Sequence, residues 1–297
     1  MSGPLEFTGE RFTPECVREI WYEHYHRYAL AARWCDGKRT LDAACGEGYG
    51  SAVLAKSGAK VDGVDISERV IAHARQQYGD IEQLDFHVAD CTDLPFADSE
   101  FDRVVSFETL EHLATHDELL TEFKRVLKPD GFLVLSSPDK AVYSEGEGTV
   151  NEFHVRELYR EELEALIARH FPASRLLGQK LMFHSAIWSM EAIDQVALDQ
   201  VADGESGSVR VIKQPAMYFI ALCAAAEKYL PDLDGRLWLF DDLEESVYQH
   251  YHGEVRRNMA AGGIIAGLEK KIAELSTGSE QAGVAKRSWW RRLLHKS

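Results

Sequence analysis

The sequence lacks the features of a disulfide-bonded protein, a membrane-spanning chain or a general nucleic-acid binder. Its five cysteines, Cys16, Cys35, Cys45, Cys91 and Cys223, are scattered and odd in number, and no two form a C-x-x-C pair. Neither a disulfide framework nor a cysteine-rich zinc site is expected, and a reducing cytoplasm is the favoured setting. The longest apolar run, Tyr218 to Ala226, is far shorter than the ~18 residues a membrane span needs, so it reads as a buried strand. Positive charge is scarce: 33 Lys and Arg stand against 49 Asp and Glu, a net charge of -16. No global field gathers a phosphate backbone, and general nucleic-acid binding is not expected. Met1 to Arg11 carries acids and no apolar core, so no secretory signal is expected there. Internal repeats are absent.

What is present suits one large domain with extensions. The chain has 297 residues, 45% of them hydrophobic, within the range a single core can serve. Thr13-Pro14-Glu15 orders a capping hydroxyl, a first-turn proline and a first-turn acid, which predicts a helix running to about Trp34 and ending at Asp36-Gly37. Strands at Arg39 to Cys45, Lys60 to Ile66, Leu84 to Asp90, Phe101 to Phe107 and Phe132 to Ser136 then alternate with helices at Tyr49 to Ser57, Ser67 to Tyr78 and Asp117 to Leu127. That alternation predicts a doubly wound α/β fold with a mostly parallel seven-stranded sheet, and Pro129-Asp130-Gly131 reads as the turn into the fifth strand. A polar loop, Pro138 to Glu152, precedes a helix at Arg156 to His170; Leu176 to Ile187 and Val209 to Ala226 read as closing strands around an acidic helical insertion near Met190 to Ala202. The expected divisions are an N-terminal helical segment (1–36), the main domain (37–230), a helical extension (231–275) and a flexible linker with a basic amphipathic tail (276–297).

Leu41-Asp42-Ala43-Ala44-Cys45-Gly46-Glu47-Gly48-Tyr49-Gly50 follows a strand and opens a helix, the setting of a glycine-rich cofactor loop. Gly46 and Gly48 let the backbone turn and approach a ligand without a Cβ in the way. The third glycine comes one residue too early for a dinucleotide loop. An acid at Asp42 suits an ammonium or sulfonium charge better than a pyrophosphate. The stretch resembles the first motif of the class I S-adenosylmethionine methyltransferases, with Ala44 at the first glycine, and the likeness extends over roughly Thr40 to Ser137. It implies that Asp65 holds the ribose hydroxyls and that Asp90, in Ala89-Asp90-Cys91-Thr92-Asp93-Leu94-Pro95-Phe96, meets the adenine amino group. Leu127 to Phe132 matches the family's turn into the fifth strand. The resemblance implies a cofactor-binding set of Asp42, Ala44, Gly46, Gly48, Asp65, Ile66, Asp90, Cys91 and Phe107, with S-adenosylmethionine as cofactor.

Glu108-Thr109-Leu110-Glu111-His112 follows the fourth strand with three ligand types at i, i+3 and i+4. On a helix that spacing puts two carboxylates and an imidazole on one face, a donor set suited to Mg²⁺ or Mn²⁺. The pattern resembles the metal-binding motif of the small-RNA 3′-end 2′-O-methyltransferases, which implies ligands Glu108, Glu111 and His112, with His154 as the fourth. The metal-free alternative leaves His112 as a packing residue or general base, with His154 the second choice of base; the catalytic set is His112 and Glu108.

Thr8 to Pro14 and Glu23 to Tyr28 resemble the opening of bacterial methyltransferases encoded with polysaccharide assembly enzymes, which implies a saccharide or glycan hydroxyl as acceptor. Tyr28 or Arg27 is expected over the cofactor carboxylate, with packing on the core as the alternative. Ile264, Ile265, Leu268, Ile272 and Leu275 form a helical stripe for the core or a partner, and a homodimer is one such assembly. Lys286 to Lys296, basic around Trp289-Trp290 and Leu293-Leu294, suits either an anionic membrane surface or a solvated end. The expected function is O-methylation of a glycan precursor with metal assistance. Its rivals are a metal-free methyltransferase of quinols or lipids and a non-catalytic cofactor-binding adaptor.

Overall fold

The structure is a computed structural model, describing residues 19–146, 148, 151–182, 214–233, 236–240 and 245–294. Two compact units divide the chain at Phe240/Asp241.

The first unit is a seven-stranded sheet in the order β3-β2-β1-β4-β5-β7-β6. Its elements are α1 (Glu19–Cys35), β1 (Arg39–Ala43), α2 (Tyr49–Lys56), β2 (Lys60–Asp65), α3 (Glu68–Tyr78), β3 (Leu84–Val88), β4 (Phe101–Ser106), α4 (His116–Val126), β5 (Leu127–Pro138), α5 (Lys140–Tyr143), α6 (Arg160–His170), β6 (Ala173–Gln179) and β7 (Tyr218–Ala224). The strands from β3 to β5 pair in parallel, whereas β7 runs antiparallel to both β5 and β6. The expected doubly wound, mostly parallel architecture is therefore present. The chain order reverses direction between β1 and β4, which opens a crevice at the carboxyl ends of the strands.

Alternating side chains of the central strands feed two hydrophobic cores. Val105 of β4, Phe132 and Val134 of β5 and Ile220 and Leu222 of β7 pack on one face with Leu54 and Ile71. Val104, Leu133, Leu135, Phe219 and Ala221 pack on the other with Leu119, Leu120 and Phe123. Each large side chain so buried contributes roughly 1.5–3 kcal/mol. In α4 the buried Leu119, Leu120, Phe123 and Val126 repeat at helical spacing, with Asp117 and Glu118 in the first turn and Lys124 and Arg125 in the last, matching the helix dipole.

Three sequence expectations change. The Pro129-Asp130-Gly131 turn lies inside β5 as a bulge, since the register to β4 jumps from Leu127 opposite Phe101 to Phe132 opposite Arg103. The strand expected from Leu176 begins at Ala173 and ends at Gln179, because β6 takes its register from β7. The helix expected from Arg156 begins at Arg160, where Glu162 reaches back to the Tyr159 N–H. The Thr13 helix start and the Met190 to Ala202 insertion lie outside the described residues.

The second unit carries one helix, α7 (Ser246–Leu294). Its backbone is helical through Ser276 to Gly283, the stretch expected as a flexible linker. Ile264, Ile265, Leu268 and Ile272 of the expected stripe are exposed. Among the described residues no helix is long and apolar enough to cross a membrane.

Candidate active site

The loop after β1 turns through three left-handed residues, Ala44 at φ 57°, Gly46 at φ 56° and Gly48 at φ 94°. Ala44 stands where the resembled motif has its first glycine and tolerates a conformation that costs an L-residue roughly 1–2 kcal/mol. A Cβ at Gly48 falls 2.7 Å from the Phe86 ring, so this glycine serves packing as well as the turn. The Gly46 N–H donates to Asp65 Oδ2 (3.2 Å), and the Ser67 N–H donates to Asp65 Oδ1 (2.9 Å). One carboxylate at the end of β2 thus ties two loops together.

These loops form one side of a cavity of about 420 Å³. Ala44, Gly46, Asp65, Ile66, Asp90 and Cys91, from the ends of β1, β2 and β3, line it together with Phe107. Asp90 is preorganised by the Thr92 N–H and hydroxyl, at 2.8 and 2.7 Å. Asp42 and Gly48 do not line the cavity. Asp42 is fully buried and accepts from Tyr28 Oη (3.0 Å) and Ser51 Oγ (2.6 Å). Burial pushes its carboxyl up to about 7, against the opposing pull of those two hydrogen bonds. The acid expected to face a cationic ligand is therefore an internal anchor joining α1 to α2.

The other side of the cavity is assembled from α1, the segment after β4, the segment after β5 and the start of β7. Glu108, at φ 51°, donates its N–H to Ser136 Oγ (3.1 Å) and accepts the Ser136 hydroxyl on Oε1 (2.6 Å). Arg27, buried under α1, reaches within 3.5 Å of Glu108, donates to Gln179 Oε1 (3.0 Å) and lies over the Tyr218 ring. Arg27 does not itself line the cavity, nor does His26, which stacks on Phe240. Tyr28 does line it, with its hydroxyl held by Asp42.

The expected helical face bearing Glu108, Glu111 and His112 does not form. Glu108 is left-handed and outside a short 3-10 turn, Leu110–His112, so its carboxylate turns to Ser136 and Arg27. Glu111 is buried, and neither carboxyl oxygen has a hydrogen-bond partner. Desolvation, reinforced by repulsion from Glu108, raises its pKa well above the usual carboxylate range. His112 Nδ1 lies 2.9 Å from the Phe153 carbonyl oxygen, which can only accept, so Nδ1 carries the proton and Nε2 is the acceptor atom of the neutral ring. Asn151 Oδ1 accepts the Phe153 N–H (3.0 Å), and Val155 and Arg156 donate their N–H groups to the Glu111 carbonyl. The 151–157 strap is thereby pinned to the 3-10 turn.

His154 also lines the cavity. Its Nδ1 faces Glu157 Oε1 at 2.6 Å, and its Nε2 accepts from Asn151 Nδ2 at 2.9 Å. Glu111, His112 and His154 bring ligand-type atoms within 4.8 Å of one another; Glu108 is not in that group. His24, Tyr49, Thr109, Tyr143, Asn151 and Tyr218 also line it. Sequence reasoning named none of these six as site residues. His24 sits one turn before Tyr28 on α1, which was a usable signal; Asn151 and Tyr218 reach the site only through tertiary pairing.

A glycine-rich loop, an acid ending β2, an acid after β3 and a crevice at the strand reversal define a Rossmann-like fold with a nucleoside-type cofactor site. A family model described as a methyltransferase domain matches residues 41–135. A protein of Mycolicibacterium smegmatis, described as a probable S-adenosylmethionine-dependent methyltransferase, is 36% identical over 186 residues, covering 61% of this chain and 70% of that protein. A Mycobacterium tuberculosis protein with the same description is 36% identical over 166 residues, 55% of this chain and 60% of that protein. The chain belongs to the class I S-adenosylmethionine-dependent methyltransferases. At the level of fold alone, it also resembles a chain from the complex between the Trm112 methyltransferase activator and a methyltransferase of Haloferax volcanii. That match has a TM-score of 0.50 and 20% identity, and covers 68% of this chain and 90% of that one.

Proposed function

We propose that the protein methylates a hydroxyl oxygen, with a saccharide or glycan precursor as acceptor and His112 as the base. The observation that carries this reading is the hydrogen bond from His112 Nδ1 to the Phe153 carbonyl, which leaves Nε2 as the acceptor atom of a cavity-lining ring. S-adenosylmethionine, when bound, supplies a sulfonium-activated methyl group. Asp65 and Asp90 suit its ribose hydroxyls and adenine amino group, since carboxylates accept from both kinds of donor. His112 takes the acceptor's hydroxyl proton on Nε2, leaving an oxygen nucleophile for the methyl group that the bound cofactor would supply with its sulfur as leaving group. The Phe153 carbonyl stabilises the resulting imidazolium through Nδ1–H. Tyr143, Tyr218 and Asn151 provide aromatic faces and polar groups suited to a sugar ring. The test supplies purified chain and labelled cofactor with saccharides and, in parallel, phenols and quinols. O-methylated sugars are expected; exclusive labelling of phenols, lipids or nitrogen overturns the acceptor, and no labelling at all leaves the cofactor-binding adaptor.

A second reading follows from the two orphaned Glu111 oxygens beside His112 and His154. Glu111, His112 and His154 would hold a Mg²⁺ or Mn²⁺ ion there, which would supply Lewis-acid lowering of an acceptor hydroxyl's pKa. It requires Asn151 to release His154 Nε2 and leaves Glu108 outside the ligand set. Exhaustive chelation followed by readdition of Mg²⁺ or Mn²⁺ decides it: metal-restored activity supports the ion, and unchanged activity after chelation removes it.

A further inference from the structure

We infer that Glu157 is a positioning residue for the base: it fixes the orientation of the His112 ring through a chain of hydrogen bonds that runs along the 151–157 strap. The inference rests on the methyl-transfer reading above and deepens it by naming what holds its base in place.

Four links make the chain: His154 Nδ1 to Glu157 Oε1 (2.6 Å), Asn151 Nδ2 to His154 Nε2 (2.9 Å), the Phe153 N–H to Asn151 Oδ1 (3.0 Å) and His112 Nδ1 to the Phe153 carbonyl (2.9 Å). Each link admits one direction. A backbone N–H only donates, so the Asn151 atom facing Phe153 is its oxygen and the group facing His154 is its NH₂. The NH₂ group also only donates, so His154 Nε2 accepts, and the ring proton sits on Nδ1 and is given to Glu157. With that proton on Nε2 instead, two donors face each other at Asn151. Turning the amide to relieve them sets its NH₂ against the Phe153 N–H and frees the peptide whose carbonyl holds His112. An acceptor at His154 Nδ1 removes this conflict, and Glu157 is that acceptor.

The surroundings of Glu157 suit an anchor. Its side chain is 7% exposed and that of His154 8%, which leaves little room for water as a substitute partner. Ser144 donates its hydroxyl to Glu157 Oε2. The next residue, Leu158, is buried, bridges Asp139 and accepts the Lys140 N–H, so this end of the strap is fastened to the segment after β5. Tyr143 stacks on the His154 ring and hydrogen-bonds Asn151. A buried polar chain specifies one geometry when every member is satisfied, and loses that specificity when one partner is removed.

The test uses the full chain with chelator present, the ring resonances being assigned through His112→Gln and His154→Phe. In the unsubstituted protein, ¹⁵N spectra are expected to show the Nδ1–H tautomer for both rings; an Nε2–H tautomer at either ring overturns the inference. In Glu157→Ala the share of that tautomer is expected to fall at His154 and, through the strap, at His112. Turnover is expected to fall about 3- to 10-fold as the base loosens, with S-adenosylmethionine affinity unchanged. Glu157→Gln, whose side-chain carbonyl still accepts from His154, is expected to recover most of both losses. A wild-type His112 tautomer and rate in Glu157→Ala reduce Glu157 to a structural role and overturn the inference. If the alanine variant does not fold, His154→Phe, which keeps the stack on Tyr143 and removes two links, must lower the His112 Nδ1–H share; no change there overturns the inference as well. If no acceptor is methylated, the methyl-transfer reading fails, while the tautomers, which need no turnover, still decide the role of Glu157.

Discussion

The two sides of the cavity are built differently. On the cofactor side, each functional group lies within a few residues of the strand that presents it, and its contacts stay within or between adjacent strand-end loops: Asp90 meets Thr92, and Asp65 meets Ser67 and, across 19 residues, Gly46. On the acceptor side, the strap has local contacts of its own, but those that place the base and Glu108 join distant segments: His112 to Phe153, Glu108 to Ser136, and Arg27 to Gln179 across 152 residues. A site wired locally keeps its geometry wherever the parallel strands form. A site wired over long range depends on the strap, on α1 and on the antiparallel β7 all docking. The first suits an invariant ligand and the second an acceptor that differs between enzymes.

If this division is correct, substitutions on the two sides damage different steps. The largest effect is expected from His112→Gln: turnover falls roughly 10²- to 10⁴-fold, the range for a lost general base, with cofactor affinity unchanged in calorimetry. Asp65→Ala is expected to weaken cofactor binding about 10- to 100-fold through lost charge-assisted hydrogen bonds, while turnover at saturating cofactor is largely kept. Asn151→Ala is expected to lower turnover about tenfold by loosening the strap that fixes the base. Asn151→Asp, which keeps the acceptor for the Phe153 N–H, should recover part of it. In ¹⁵N spectra of the His112 ring, the Nδ1–H tautomer should persist more fully in this aspartate variant than in the alanine one. A wild-type tautomer and rate in the alanine variant would remove the strap from the account.

The smallest effect concerns stability. Asp42 has a folded pKa of about 7 against an ordinary value of 3.8, so the folded state binds the extra proton between those values. Its contribution to stability is present at acid pH and declines as pH rises through that window, then stays level. The amide of Asp42→Asn does not titrate. The melting temperature of that variant relative to wild type should therefore rise from about pH 4 to pH 7 and plateau above. A difference independent of pH contradicts the buried-acid assignment.

The same local wiring explains what could be read without the structure. Strand-helix alternation and the acids at positions 42, 65 and 90 revealed the fold and the cofactor, because each signal lies in a short window. Asp42 was placed facing the ligand because its burial beneath Tyr28 and Ser51 has no sequence signature. Glu108, Glu111 and His112 were read as one helical face because their spacing allows it; the left-handed Glu108 breaks that face, and Ser136 holds it there. Asn151 and Tyr218 gave no signal, since only β-pairing and the strap bring them to the cavity.

The division of labour between the sides is tested most directly by a double-mutant cycle in kcat/KM for methyl transfer, using Asp65→Ala, His112→Gln and the combined variant. The account predicts effects that add within about 0.5 kcal/mol, as for independent sites. A coupling above about 1 kcal/mol would mean that cofactor binding and proton acceptance share one network, contrary to the account.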